Sequence, residues 1–308
     1  MTDDSAAHAA SAPRCGFVAL IGAPNVGKST LVNALVGSKV TIVSRKVQTT
    51  RALIRGIVIE NGAQIILVDT PGIFSPKRRL DRAMVSTAWS GAHDADLVCV
   101  LIDARAGIDE EADAILIRLA GVRHPKILVL NKIDLVAREK LLALAKAANE
   151  RLPFEGTFMV SALSGDGVDD LRRKLAAMVP AGPFHYPEDQ MSDAPMRHLA
   201  AEITREKIYR QLHQELPYQS TVETDSWTER KDNSVRIEQT IFVERDSQRK
   251  IVLGKGGATI KSIGADARKE IAEILGVPVH LFLFVKVREN WGDDPERYRE
   301  MGLEFPKE

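Results

Sequence analysis

Gly22-Ala23-Pro24-Asn25-Val26-Gly27-Lys28-Ser29-Thr30 is the stretch that decides the first half of this chain. It has the spacing G-x-x-x-x-G-K-S/T, follows an apolar run from Phe17 to Ile21, and precedes a stretch with helical spacing. Gly22 and Gly27 let the backbone curl, so that its N–H groups point inward at phosphate oxygens. A helix starting here adds a positive partial charge. Lys28 supplies a compact cation for the β- and γ-phosphates of a nucleotide, and the Ser29 hydroxyl suits a magnesium ion.

Working outward, short apolar runs recur at Ile65 to Val68, Leu97 to Ile102, Ile127 to Leu130 and Thr157 to Val160. Longer helical stretches separate them. Most of these runs are apolar throughout, as in strands buried on both faces of a parallel sheet. The alternation predicts one α/β domain with a doubly wound, mostly parallel sheet, spanning residues 15–180. Three polar motifs sit at strand ends. Asp69-Thr70-Pro71-Gly72 offers a carboxylate that reaches Mg²⁺ through a water, and a glycine N–H for a γ-phosphate. Asn131-Lys132-Ile133-Asp134 decides the base. One carboxylate, Asp134, accepts both adjacent donors of guanine, and adenine has no such pair. Asn131 and Lys132 are expected to tie that loop to the P-loop. Ser161-Ala162 follows the last strand, with the Ala162 N–H in reach of the guanine oxygen.

The chain has 308 residues, 44% of them hydrophobic, which is enough for two cores. Lys+Arg and Asp+Glu are equal at 42 each, so a nucleic-acid surface must be a local patch. The two cysteines, Cys15 and Cys99, lack ligand spacing and read as reduced structural thiols. No uninterrupted apolar run reaches the ~18 residues of a membrane span. Residues 1–14 read as a disordered polar tail, neither signal nor transit peptide.

Pro180, Gly182, Pro183, Pro187 and Pro195 mark residues 181–195 as a linker. Beyond it the pattern becomes α-β-β-α-α-β over residues 196–290, and residues 291–308 read as a tail. A helix is expected from Met196 to Leu216. Ile237, Ile241 and Val243 share a strand face, and Leu281, Leu283, Val285 and Val287 share another. Between the last two helices lies Gly254-Lys255-Gly256-Gly257, followed by Lys261. In KH modules a G-x-x-G loop here clamps about four nucleotides, its glycines allowing close approach of phosphates. From Arg249 to Glu270 six basic residues face only Asp266 and Glu270, a local basic patch.

The four nucleotide elements resemble those of the Ras-like GTPase superfamily. That resemblance places a first switch at residues 40–51, where Thr50 rather than Thr49 is the expected magnesium-sensing hydroxyl. Two departures stand out. Ile73 follows Gly72 where many GTPases have a water-orienting glutamine. Asn25 resembles the subgroup in which an asparagine helps hold a monovalent cation, such as K⁺, against the phosphates. The expected catalytic set is therefore Lys28, Thr50, Gly72 and Asn25, with Ser29, Thr50 and Asp69 around Mg²⁺. The chain as a whole, over about residues 15 to 300, resembles the bacterial Era family. The resemblance implies a type II KH domain, GTP hydrolysis, and binding near the 3′ end of small-subunit (16S) rRNA. It also implies a role in maturing the 30S subunit and a loose peripheral association with the inner membrane of a cytoplasmic, monomeric protein. Two other readings compete: an RNA-binding adaptor holding nucleotide as a structural ligand, and a signalling GTPase whose KH-like module binds protein. Asp134 and the lack of a second motor domain exclude an ATP-driven helicase.

Overall fold

The first sheet is assembled by the apolar runs named above, and one strand that lacks such a run joins them. A computed structural model describes residues 12–47, 49–213, 216–289, 291 and 294–306. The first domain contains β1 (Arg14–Ile21), α1 (Lys28–Val36), β2 (Ile54–Glu60), β3 (Ala63–Asp69), α2 (Arg79–Asp94), β4 (Leu97–Asp103), α3 (Glu110–Leu119), β5 (Lys126–Asn131), α4 (Arg138–Arg151), β6 (Gly156–Val160) and α5 (Val168–Met178). Sheet order is β2-β3-β1-β4-β5-β6, with β2 alone antiparallel. β3 and β4 are buried at every position, as an inner strand covered on both faces must be. β2 was not among the apolar runs because it is an edge strand with a partly exposed face. Its signal was the turn Asn61-Gly62, both at positive φ, which closes a hairpin with β3.

β1 lies between β3 and β4, where the winding direction reverses. The crevice beyond the carboxyl ends of the strands opens there, so the P-loop and the ends of β3, β4 and β5 converge. Cys15 and Cys99 are both buried and free, and burial pushes the Cys99 thiol up to about 12, as inert structural thiols require.

The second domain runs α6 (Met196–Gln211), β7 (Ser220–Glu229), β8 (Val235–Val243), α7 (Asp246–Leu253), α8 (Ala258–Leu275), β9 (Val279–Val287) and α9 (Pro295–Glu300). β7 and β8 pair antiparallel, and β8 and β9 pair parallel. α6 stops at Gln211, short of the expected Leu216, and Leu216 opens a separate 3-10 turn that runs to Gln219. Leu212 and Leu216 are buried all the same.

Two segments that read as loose are tied down. Along residues 181–195, Gln64 Oε1 accepts the N–H groups of His185 and Tyr186, Ile57 donates to Met191 O, and Arg55 pairs with Asp193 at 2.6 Å. At the carboxyl end, Trp291 is buried and donates Nε1 to Gln219 O at 3.0 Å. Tyr298 and Leu303 are buried against Ala83 and Met84 of α2. The polar composition of both segments hid apolar anchors spaced too far apart to form a periodic signal. Residues 1–11 of the expected N-terminal tail lie outside the described residues, and β1 already begins at Arg14. No helix among the described residues is long and apolar enough to cross a membrane.

Candidate functional site

Gly27 adopts φ 98° at the junction of P-loop and α1, and a Cβ there would stand 2.3 Å from Asn131 Nδ2. Only glycine permits both the turn and that approach. Gly22 is equally confined, its Cβ position lying 2.7 Å from Leu101 O. Lys28 is buried, and its Nζ donates to Gly22 O and Ala23 O at 3.0 Å each. Burial lowers its pKa to about 8, against the opposing pull of Asp69.

Asp69 is buried at the end of β3. Its Oδ2 accepts from Thr41 Oγ1 at 2.9 Å and Thr50 Oγ1 at 3.5 Å, while its buried Oδ1 has no partner among the described residues. Burial raises its pKa, and hydrogen bonding from Ser29 and the charge of Lys28 oppose the rise. Ser29 Oγ lies 2.8 Å from Thr50 Oγ1. Two hydroxyls and a carboxylate with one orphaned oxygen form an all-oxygen donor set, which fits Mg²⁺. Ser29 and Thr50 would hold the ion and Asp69 would reach it through water. The ion would screen charge between the β- and γ-phosphates. Thr49 instead bonds Ser44 Oγ and Lys46 O. Thr41 escaped the sequence reading because a lone threonine near the start of the expected switch, away from Thr49-Thr50-Arg51, has no spacing signal.

Gly72 packs on the P-loop, its Cβ position 2.9 Å from Pro24 Cα. Thr70 Oγ1 donates to Leu20 O, and the Ile73 N–H to Gly22 O at 3.1 Å. The Ile73 side chain is buried in the core, so it orients no water. Asn25 sits at φ 61° with its side chain exposed and without a hydrogen-bond partner among the described residues.

In the loop Asn131 to Asp134, Asn131 Nδ2 donates to Val26 O at 2.8 Å, and Lys132 Nζ bonds Asn25 O and Asp103 Oδ2. Both side chains tie this loop to the P-loop. Asp103, at the end of β4, is the partner that sequence missed. The Ala162 N–H donates to Asn131 Oδ1 at 3.0 Å, which joins Ser161-Ala162 to the same network. Asp134 is exposed on a short 3-10 turn, Ile133–Leu135. A cavity of about 1050 Å³ connects the P-loop, Thr50, Asp134 and Ser161-Ala162. Leu135 and Leu163, both exposed, line it and offer the apolar faces a purine ring would cover.

The G-x-x-G loop lies between α7 and α8, far from this cavity in sequence and outside its lining. Gly254, Gly256 and Gly257 all have positive φ, and a Cβ on Gly254 would stand 2.2 Å from Thr259 Oγ1. Lys255, Gly256 and Lys261 are exposed. The basic patch is thinner than its composition suggested. Arg249 and Lys250 pair with Asp246, and Lys269 with Glu273, acids just outside residues 249–270. Lys255, Lys261 and Arg268 have no carboxylate partner among the described residues.

The chain is similar to known proteins over both halves. Residues 17–132 match the family described as a 50S ribosome-binding GTPase, and residues 215–292 match the KH domain. GTPase Era of Bradyrhizobium diazoefficiens is 86% identical over 308 residues, covering all of both chains. GTPase Era of Brucella suis is 69% identical over 297 residues, 96% of each. A crystal structure of Era with MgGDPNP and nucleotides 1506–1542 of 16S ribosomal RNA superposes at TM-score 0.87. It shares 38% identity and covers 94% of this chain and 99% of that one. An Aquifex aeolicus Era variant bound to GDP·AlF4⁻ gives the same values.

Proposed function

Because this chain belongs to the Era family of GTPases, we propose that it is a GTP-hydrolysing switch that binds the 3′ end of 16S rRNA through its KH domain during 30S subunit assembly. The reaction converts GTP and water to GDP and phosphate. The observation that carries the reading is one chain holding both an oxygen-lined Mg²⁺–nucleotide cavity and an exposed G-x-x-G loop. Likeness to an Era complex with magnesium, a GTP analogue and this rRNA segment supports it.

The site residues fall into roles. The P-loop from Gly22 to Thr30 wraps the phosphates and Lys28 neutralises them. Gly72 presents its N–H to the γ-phosphate, and Asp134 selects guanine. Gly254 to Gly257 with Lys255 and Lys261 would grip RNA phosphates. Replacing Lys255 and Gly256 together by aspartate tests this grip. Affinity for a 16S 3′-end fragment should collapse, and the salt dependence of what remains should flatten by a slope of roughly 0.7 for each phosphate that the loop no longer neutralises. Undiminished RNA binding would move the interface elsewhere and favour a protein-binding module.

Without a glutamine at position 73, the unpartnered Asn25 side chain supports a K⁺ ion at the phosphates. GTP turnover should then be faster in KCl than in NaCl at equal ionic strength, and Asn25→Ala should erase the difference. Equal rates in the two salts would remove K⁺ from the mechanism. A monomer with a loose peripheral membrane fraction completes the reading. Sedimentation and flotation with lipid vesicles test those two points, and a dimer or a complete absence of co-flotation would strike them out.

A further inference from the structure

Much of the described part of residues 39–51 packs against the second domain, with Arg45 and Val47 left exposed. Ile42 is fully buried in a cluster with Leu199, Ala200 and Ile203 of α6 and Val235 of β8. The Val43 N–H donates to Glu206 Oε1 at 3.2 Å, and Glu206 Oε2 takes Lys39 Nζ at 2.6 Å. Lys46 Nζ donates to Leu212 O. Arg205 donates to Thr49 O, and its guanidinium is aligned by Glu202, with Nε to Oε1 at 2.7 Å. Arg51 is buried without a carboxylate partner among the described residues. Its Nη1 donates to Ser220 O at 2.9 Å, and its Nη2 to Tyr209 Oη, Pro217 O and Tyr218 O at 2.8–3.2 Å. The rings of Tyr209 and Trp291 lie 5.8 and 5.6 Å from that guanidinium.

Thr50 therefore sits between two residues that the second domain holds, Thr49 by its carbonyl and Arg51 by its side chain. Its own hydroxyl meets Ser29 Oγ and Asp69. We propose that α6 is a positioning element of the GTPase site. In this assignment Arg205 and Glu206, with the cage around Arg51, keep residues 41–47 and Thr49 in the shape that lets Thr50 Oγ1 hold the metal. The second domain thereby sets the Mg²⁺ requirement of the first. A loop held only by its own domain would pay its ordering entropy on each metal-binding event. Here contacts across the domain boundary have already restricted it, as outer partners of metal ligands do elsewhere. The proposal rests on the reading of Thr50 as a metal ligand.

Three measurements on the full chain test it: amide hydrogen exchange of residues 41–50 in nucleotide-free protein, the Mg²⁺ concentration for half-maximal GTP turnover, and GTP affinity in EDTA. For Arg205→Ala we expect exchange and Mg²⁺ requirement each to rise about tenfold, the scale of removing an outer partner of a ligand. Affinity in EDTA should stay within about twofold, since the base and phosphate contacts lie on other loops. Arg205→Lys, which keeps a donor for Thr49 O, should restore much of the loss. Tyr209→Phe removes one acceptor from Arg51 without opening a cavity, and decides the matter if Arg205→Ala does not fold. It should shift both readouts the same way by less. Unchanged exchange and Mg²⁺ requirement in a folded variant overturn the proposal, and so does slower turnover at an unchanged Mg²⁺ requirement. Thr50→Ala separates the two layers. If it leaves the Mg²⁺ requirement unmoved, the metal assignment falls and the proposal with it. If it raises the requirement while Arg205→Ala and Tyr209→Phe do not, only the positioning role falls.

Discussion

Lys28 is buried with its ammonium on two carbonyls, and burial lowers its pKa to about 8 from 10.5. Between those values the unfolded chain binds more protons than the folded one, so this group's contribution to stability grows as pH rises through that window. Nucleotide binding has the opposite sign. Phosphates favour the charged form, so binding takes up a proton near and above pH 8, and GTP affinity should fall roughly fivefold between pH 8 and pH 9. Calorimetry in buffers of different ionisation enthalpy reads the uptake directly; none at pH 8.5 would mean that Lys28 is already fully charged before the nucleotide arrives. On the proposed reading Asp134 governs base identity where Lys28 governs charge. Asp134→Asn should weaken GTP binding at least tenfold, about 1.4 kcal/mol, and favour xanthosine triphosphate, whose C2 oxygen suits an amide donor. An unmoved GTP affinity would take guanine recognition away from this loop. At this scale the P-loop and Asn131-Lys132-Ile133-Asp134 were legible, because their chemistry is local and their spacing short. Thr41 and Asp103 were not: each becomes functional only by meeting Asp69 or Lys132 across the fold.

Among elements, the pairing of α9 with α2 is the least expected. α2 follows the Asp69-to-Gly72 motif, and its Ala83 and Met84 are covered by Tyr298 and Leu303. Tyr298 meets Phe305 edge to face at 4.9 Å, and the Arg79 guanidinium stands 5.2 Å from the Phe305 ring. Truncating a buried aromatic in a rigid core costs roughly 3–5 kcal/mol. α9 has only 6 residues and can detach instead, which caps the loss at the segment's own docking energy. Tyr298→Ala should therefore lower thermal stability modestly and speed hydrogen exchange in residues 295–305 and in α2, while exchange in β4 and β5 stays slow. Uniformly faster exchange through the β4–β5 core would show that this segment is part of the global folding unit. Strands β3, β4 and β5 were readable because continuous apolar runs leave no other fate. β2 and α9 were not, since each has a half-exposed or interrupted pattern and is stabilised by what it leans on.

At the level of the whole molecule, zero formal net charge conceals a divided surface: exposed lysines at the G-x-x-G loop, and at the domain boundary a network around the buried Glu206, in which Lys207 is buried, Lys39 and Glu270 are partly exposed and Arg210 is exposed. Ile42 adds apolar burial there of roughly 2 kcal/mol. Sequence alone determined the parallel sheet, the guanine-nucleotide chemistry, the α-β-β-α-α-β module and its G-x-x-G loop. Each of these is encoded by spacing along a few consecutive residues, where strand and helix periodicity or a glycine's freedom leaves one reading. Only the tertiary structure decided that residues 181–195 are tied down, that the carboxyl end returns to α2, and that Thr50 is held through Arg51 and Arg205. Those contacts join residues 100 or more positions apart, whose complementarity has no periodicity and exists only once both cores have formed.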